Sequence, residues 1–168
     1  AIRITAGIFL AVGILILGYH PAGSLKVICL DVGQGDGILV ETPEDHHFLI
    51  DGGSSSQSEP GRYCLLPALK SQGISWLDGI FISHTDQDHI NGVKELLEYM
   101  GKGLTTIRAG YLILPAWAER PDAWRELAEA AKTAGVKVMT AGKGDELPCG
   151  KVSFSVLWPE KNATGKDV

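Results

Sequence analysis

His84-Thr85-Asp86-Gln87-Asp88-His89 places two imidazoles and two carboxylates within six positions. The apolar run Ile80-Phe81-Ile82 precedes it and Asn91-Gly92 comes just after. That is the pattern of a buried strand emptying into a tight loop, so the four polar side chains are presented together from a pinned base. Nitrogen and oxygen donors at this density suit Zn²⁺, Mn²⁺ or Fe²⁺, and such a site usually serves to activate water. Two plainer readings are weaker. A calcium loop of the EF-hand type needs an oxygen donor at its fifth position, and counting from Asp86 that position is Ile90. A merely solvated loop would not sit between a buried strand and the amphipathic segment 91–100.

Upstream, residues 25–32, 38–42 and 47–51 read as strands joined by short turns, as in an antiparallel start to a sheet. The turn Gly33-Gln34-Gly35-Asp36-Gly37 resembles a dinucleotide-binding loop only superficially. That fingerprint needs a helix next, and Ile38-Leu39-Val40 stands there instead. Leu65, Leu66 and Leu69 have helical spacing over residues 62–72, with Gly73 as the stop. Residues 78–83 form the strand that feeds the His/Asp loop. Val93, Leu96, Leu97 and Met100 define a helix over 91–100. A strand at 111–114 is stopped by Pro115, and a helix over 121–134 opens on Pro121 and closes at Gly135. Residues 136–139 and 152–157 are further strands. Strands first, then helices alternating with strands, predict an α/β domain with helices layered on a sheet.

Composition bounds the rest. The 168 residues are enough for one domain with a real core. Hydrophobic residues make up 45% and charged residues 21%, which excludes a disordered chain. A net charge of -5 provides no global attraction for nucleic acid, although bound divalent ions would supply local positive charge. The 21 glycines are about twice the usual share of ~7%, and their clusters at 33–37 and 52–53 mark close backbone approaches. Cys29, Cys64 and Cys149 are odd in number and far apart. Cys29 and Cys64, among apolar neighbours, are expected to be small buried hydrophobes.

Residues 4–18 are almost unbroken in apolar character, with Arg3 before them and Tyr19-His20-Pro21 after. The run falls just short of the ~20 residues of a full span. The end of a transmembrane helix, a signal peptide and a buried helix are all readings of it. The lack of a polar face and the presence of Gly7, Gly13 and Gly18 favour the membrane. Arg3 as the cytoplasmic flank would put the residues after Tyr19 outside the cytoplasm. The expected organisation is a hydrophobic transmembrane segment and linker over 1–21 and a catalytic-type domain over 22–168. The chain begins with Ala and reads as a fragment cut at both ends.

His84-Thr85-Asp86-Gln87-Asp88-His89 resembles the His-x-His-x-Asp-His signature of the metallo-β-lactamase fold, with Asp86 in place of the middle histidine. Together with Asp31-Val32-Gly33-Gln34-Gly35-Asp36 and Leu49-Ile50-Asp51-Gly52-Gly53, it resembles the ComEC family of competence proteins, which carry DNA across the bacterial inner membrane. Asn91-Gly92 departs mildly from the Gly-Gly of that family. The resemblance spans about residues 4–160. It implies the first part of an αββα sandwich, preceded by the end of a transmembrane helix, with the domain on the extracytoplasmic side of the cell membrane. It implies two divalent metal ions, Zn or Mn, held by His84, Asp86, Asp88 and His89. The carboxylate of Asp86 would favour Mn²⁺ or a mixed site over pure zinc. It also implies Asp51 as an orienter of ligands, and Asp31, Gln34 and Asp36 as residues of the lining.

The activity so implied is two-metal phosphodiester hydrolysis, with Asp88 orienting or deprotonating the attacking water. The substrate implied is the strand of DNA that is not taken up, and other competence proteins are possible partners. The fold's later ligands are expected to be missing, because no histidine occurs after His89. By itself this stretch would hold an incomplete site and be inactive. A non-catalytic extracytoplasmic binding module, or another hydrolase of the same fold, is the alternative.

Overall fold

The computed structural model describes residues 5, 7–9, 12, 13, 23–117, 120–160 and 163. Its main sheet has six strands: β1 Lys26–Cys29, β2 Ile38–Glu41, β3 His47–Ile50, β4 Trp76–Phe81, β5 Arg108–Pro115 and β6 Lys137–Ala141. They lie side by side in chain order. The β1–β2 and β2–β3 pairs are antiparallel, and β3 to β6 are parallel. Each parallel connection carries helix, as a crossover requires. A π-helical turn, Gly61–Leu65, runs into α1, Leu66–Ser71; α2 is Gln87–Gly101 and α3 is Asp122–Thr133.

These helices cover one face of the sheet. Leu39, Leu49, Leu77, Ile80 and Leu112 from the strands pack with Leu65, Leu69, Val93, Leu96, Leu97 and Leu127 from the helices, all fully buried. A separate antiparallel hairpin, β7 Glu146–Cys149 and β8 Val152–Ser155, lies over the other face. Phe154 of β8 stacks edge-on against Phe48 with ring centres 4.7 Å apart, and it also meets Phe81 at 5.0 Å. Phe48 and Leu49 are therefore buried on opposite faces of β3. A strand covered on both sides reads as a continuous apolar run, as His47-Phe48-Leu49-Ile50 nearly does.

Several expectations need correction. Cys29 is exposed, because β1 is an edge strand on which only Ile28 turns toward the core. Cys64 is half-buried. The hairpin strand β7 was not expected; Pro148 within its four residues hides it. The helix expected over 91–100 starts at Gln87, so Asp88 and His89 belong to its first turn and not to a loop. Asp86 precedes it in extended conformation, and acidic side chains at a helix start are favoured by the exposed N–H groups there. The helix expected over 62–72 opens as a π turn. Glu95 of α2 accepts hydrogen bonds there from the N–H groups of Gly61 (2.9 Å) and Arg62 (3.3 Å).

Of the apolar run 4–18, only Thr5, Gly7, Ile8, Phe9, Val12 and Gly13 are described, as helix. Among the described residues no helix is long and apolar enough to cross a membrane. The rest of the expected transmembrane segment lies outside the described residues.

Candidate metal centre

Topology alone brings three segments to one edge of the sheet. β3 and β4 are parallel with Ile50 opposite Phe81, so Asp51 and Ser83 emerge beside each other at the strands' carboxyl ends. β2 runs the other way, with Ile38 opposite Ile50, so the glycine-rich turn that enters β2 arrives at the same edge. Ligand sites of α/β sheets favour this edge.

Backbone hydrogen bonds stitch the three segments together. Asp36 N donates to Asp88 O (3.2 Å), Gly53 N to Asp36 O (3.1 Å), Gly52 N to His89 O (2.9 Å) and Ser55 N to Gln34 O (2.7 Å). Such close approach requires glycine. A β-carbon on Gly53 would lie 2.4 Å from the carbonyl carbon of Asp88, and one on Gly92 would lie 2.2 Å from Gly52 O. Asn91 clasps the strand-end loop with two bonds: its Oδ1 accepts from Ser54 N (2.9 Å) and its Nδ2 donates to Ser54 O (2.7 Å). The departure from Gly-Gly at Asn91-Gly92 thus has a structural use. Ser56 Oγ accepts from Gln34 N (2.8 Å), so the serine-rich loop holds the glycine-rich turn.

Asp51 is the hub. It is buried, and its backbone adopts φ 54°, a left-handed conformation uncommon outside glycine. Its Oδ1 accepts from Ser83 N (2.8 Å). Its Oδ2 lies 2.6 Å from Ser83 Oγ and 3.0 Å from His89 Nδ1. Ser83 Oγ is in turn 2.9 Å from His84 Nδ1. The His84 and His89 rings stand with centres 3.9 Å apart. Asp86 Oδ2 is 3.6 Å from His84 Nε2, and Asp36 Oδ2 is 3.7 Å from His89 Nδ1.

The six-residue motif is thus partly gathered. His84, Asp86 and His89 cluster, with Asp36 and Asp51 beside them. Asp88, in the first turn of α2, makes no side-chain hydrogen bond or ion pair with any described residue. Among the described residues no three His, Cys, Asp or Glu side chains are arranged to hold an ion as they stand. Asp31 is exposed and closes a local turn by accepting from Gly33 N (3.4 Å), while Gln34 takes part through its backbone.

One pair of donors is nevertheless spaced as a divalent cation requires. Two ligands about 2.1 Å from a tetrahedral ion lie roughly 3.4 Å apart, close to the 3.6 Å between His84 Nε2 and Asp86 Oδ2. The Nδ1 atoms of both rings are already engaged, which leaves Nε2 as the nitrogen available for coordination. Cys64 is unsuited to join them. Burial, reinforced by the charges of Asp31 and Glu95, pushes its thiol above the usual range, so it stays protonated. Ser83, Ser54, Ser56 and Asn91 were not singled out from the sequence. Their one signal is position, beside or between the motif residues.

Residues 30–157 match the Metallo-beta-lactamase superfamily, and the chain belongs to it. It is 32% identical over 173 residues to ComE operon protein 3 of Bacillus subtilis (strain 168), a match that covers 95% of this chain and 21% of that protein. It is also 35% identical over 72 residues to Competence protein ComA of Neisseria gonorrhoeae, covering 43% of this chain and 10% of the relative. The chain therefore spans about a fifth or less of the length of these curated relatives. Two solved structures align with it, each at a TM-score of 0.42. A new diphosphatase from the PhnP family shares 18% identity over 71% of this chain and 42% of its own. A protein described as a metallo-beta-lactamase from Thermotoga maritima shares 14% identity over 74% of this chain and 61% of its own.

Proposed function

We propose that the chain carries part of the active site of a metal-dependent hydrolase that cleaves phosphodiester bonds of single-stranded DNA, within a membrane protein of DNA uptake. The observation that carries the chemistry is the pairing of the His84 and His89 rings at the carboxyl edge of parallel strands, with Asp86 and Asp36 alongside. Similarity to two competence proteins supports DNA uptake as the setting. His84, Asp86, Asp88 and His89 are the metal donors in this reading. A divalent ion held there acts as a Lewis acid toward the phosphate and brings the acidity of water into the neutral range.

The chain's own residues do the rest. Asp51 holds the His89 ring and the Ser83 backbone, and so sets the angle at which the motif leaves β4. Asp88, with no hydrogen-bond partner among the described side chains, is free to orient an attacking water or take its proton. The turn carrying Asp31, Gln34 and Asp36 lines the approach. The start of α2 lies at the same edge, held there by the bonds from Gly52 N to His89 O and from Asp36 N to Asp88 O, and a helix start favours an anionic backbone. In this reading the fold is an αββα sandwich in which β7 and β8 belong to the second sheet, placed on the extracytoplasmic side of the membrane.

Titration of the full chain with Mn²⁺ and Zn²⁺, with metal analysis after dialysis, tests the reading. Saturable binding that is lost in His84→Ala and His89→Ala is expected. With labelled single-stranded DNA, any cleavage must stop on chelation. The absence of saturable binding would refute the proposal.

A further inference from the structure

We infer that Ser83 is a positioning residue that sets the tautomer of His84. The inference rests on reading His84 and His89 as metal donors. Asp51, as a carboxylate, can only accept hydrogen bonds. Ser83 Oγ is 2.6 Å from Asp51 Oδ2, so its single proton is directed there. The hydroxyl oxygen then faces His84 Nδ1, 2.9 Å away, as an acceptor, and Nδ1 must carry the proton. His89 Nδ1, 3.0 Å from the same Oδ2, donates to it directly. One carboxylate thus imposes the same tautomer on two rings, on one directly and on the other through a hydroxyl. In a neutral imidazole protonated at Nδ1, the lone pair is left on Nε2. His84 Nε2 is the atom that faces Asp86. Both rings are therefore delivered with the coordinating nitrogen already bare, and binding a cation there displaces no ring proton.

Removing the hydroxyl leaves the rest of the hub in place. Ser83 N still donates to Asp51 Oδ1, and His89 keeps its own bond to Oδ2. Only His84 Nδ1 loses its acceptor, and that ring becomes free to adopt the Nε2–H form, which cannot coordinate through Nε2 without losing a proton. Two rings 3.9 Å apart would then respond differently to one substitution.

The test is long-range ¹H–¹⁵N NMR of the histidines in the metal-free full chain at about pH 8, where ordinary imidazoles are neutral, together with titrations of Mn²⁺ and Zn²⁺. In the wild type both rings should be Nδ1–H. In Ser83→Ala, His84 should move to Nε2–H while His89 does not, and metal affinity should fall about 10-fold or more. Ser83→Thr, which keeps the hydroxyl, should restore both readouts. A wild-type His84 that is Nε2–H, or a His84 tautomer unmoved in Ser83→Ala, overturns the assignment. If the tautomers behave as expected but the wild type binds no metal, the donor role of the rings is refuted while the hydrogen-bond assignment stands.

Discussion

Gly53→Ala tests whether close backbone approach builds the centre. The added β-carbon would lie 2.4 Å from Asp88 C, 2.5 Å from His89 N and 2.7 Å from Asp88 O, all atoms of the helix start. Ordinary contact begins at 3.4 Å, so the two segments must separate by about 1 Å. No flexible side chain can absorb that shift. The bonds Gly52 N to His89 O and Gly53 N to Asp36 O, at 2.9 and 3.1 Å, would lengthen with it. Overpacking of this kind costs roughly 1–3 kcal/mol, and contact with backbone at all three nearest atoms puts this case in the upper half of that range. For a chain of this length about 2–3 kcal/mol lowers Tm by roughly 4–12 °C. Gly73→Ala is the control: its β-carbon meets nothing within 4 Å, and only its φ of +73° opposes the change, at about 1 kcal/mol. Thermal melts monitored by circular dichroism compare the two, and metal titration of Gly53→Ala should show weakened binding. A Gly53→Ala protein that melts within about 1 °C of the wild type, or above the Gly73→Ala protein, would refute the reasoning.

Three further outcomes are expected. Asp88→Ala should leave the melting temperature within about 1–2 °C of the wild type, because the carboxylate has no partner among the described side chains, yet abolish chelator-sensitive DNA cleavage by the complete protein; full activity would remove Asp88 from the chemistry. Asn91→Ala removes both bonds of the Ser54 clasp and should cost about 1–3 kcal/mol in denaturant unfolding, with faster amide exchange at Ser54 as the local sign. The Glu95 carboxyl is pushed above its ordinary 4.5 mainly by burial, against the lowering effect of its bonds from Arg62 and Gly61. A raised acid favours the folded state in its protonated form, so its contribution is full below about 4.5 and is lost as pH rises through the folded value. The stability of the wild type relative to Glu95→Gln should therefore fall from pH 4 to pH 7; a difference that stays flat or grows would contradict it.

Local chemistry announced much of this protein. Ile80-Phe81-Ile82 could only be a buried strand, and the residues after it could only be displayed at that strand's end. The glycine clusters at 33–37 and 52–53 signalled close approach before any partner was known. The start of α2 at Gln87 was missed, because Asp86-Gln87-Asp88 reads equally as loop or as a helix's acidic first turn, and only packing of α2 against Gly52 and Gly61 decides between them. Strand β7 was missed because it is only four residues long and carries a proline, too little for its alternation to be read as a strand.

The amino-acid order by itself determined the donor types, their spacing and the layered α/β class, since these arise from periodicity and from the chemistry of individual side chains. Which donors meet was decided by tertiary structure alone. Asp51, Ser83 and His89 are brought together by the parallel register of β3 with β4 and by the direction in which α2 leaves the edge. A hydrogen bond between residues 32 or 38 positions apart depends on those long-range pairings, and no local preference of the chain encodes them.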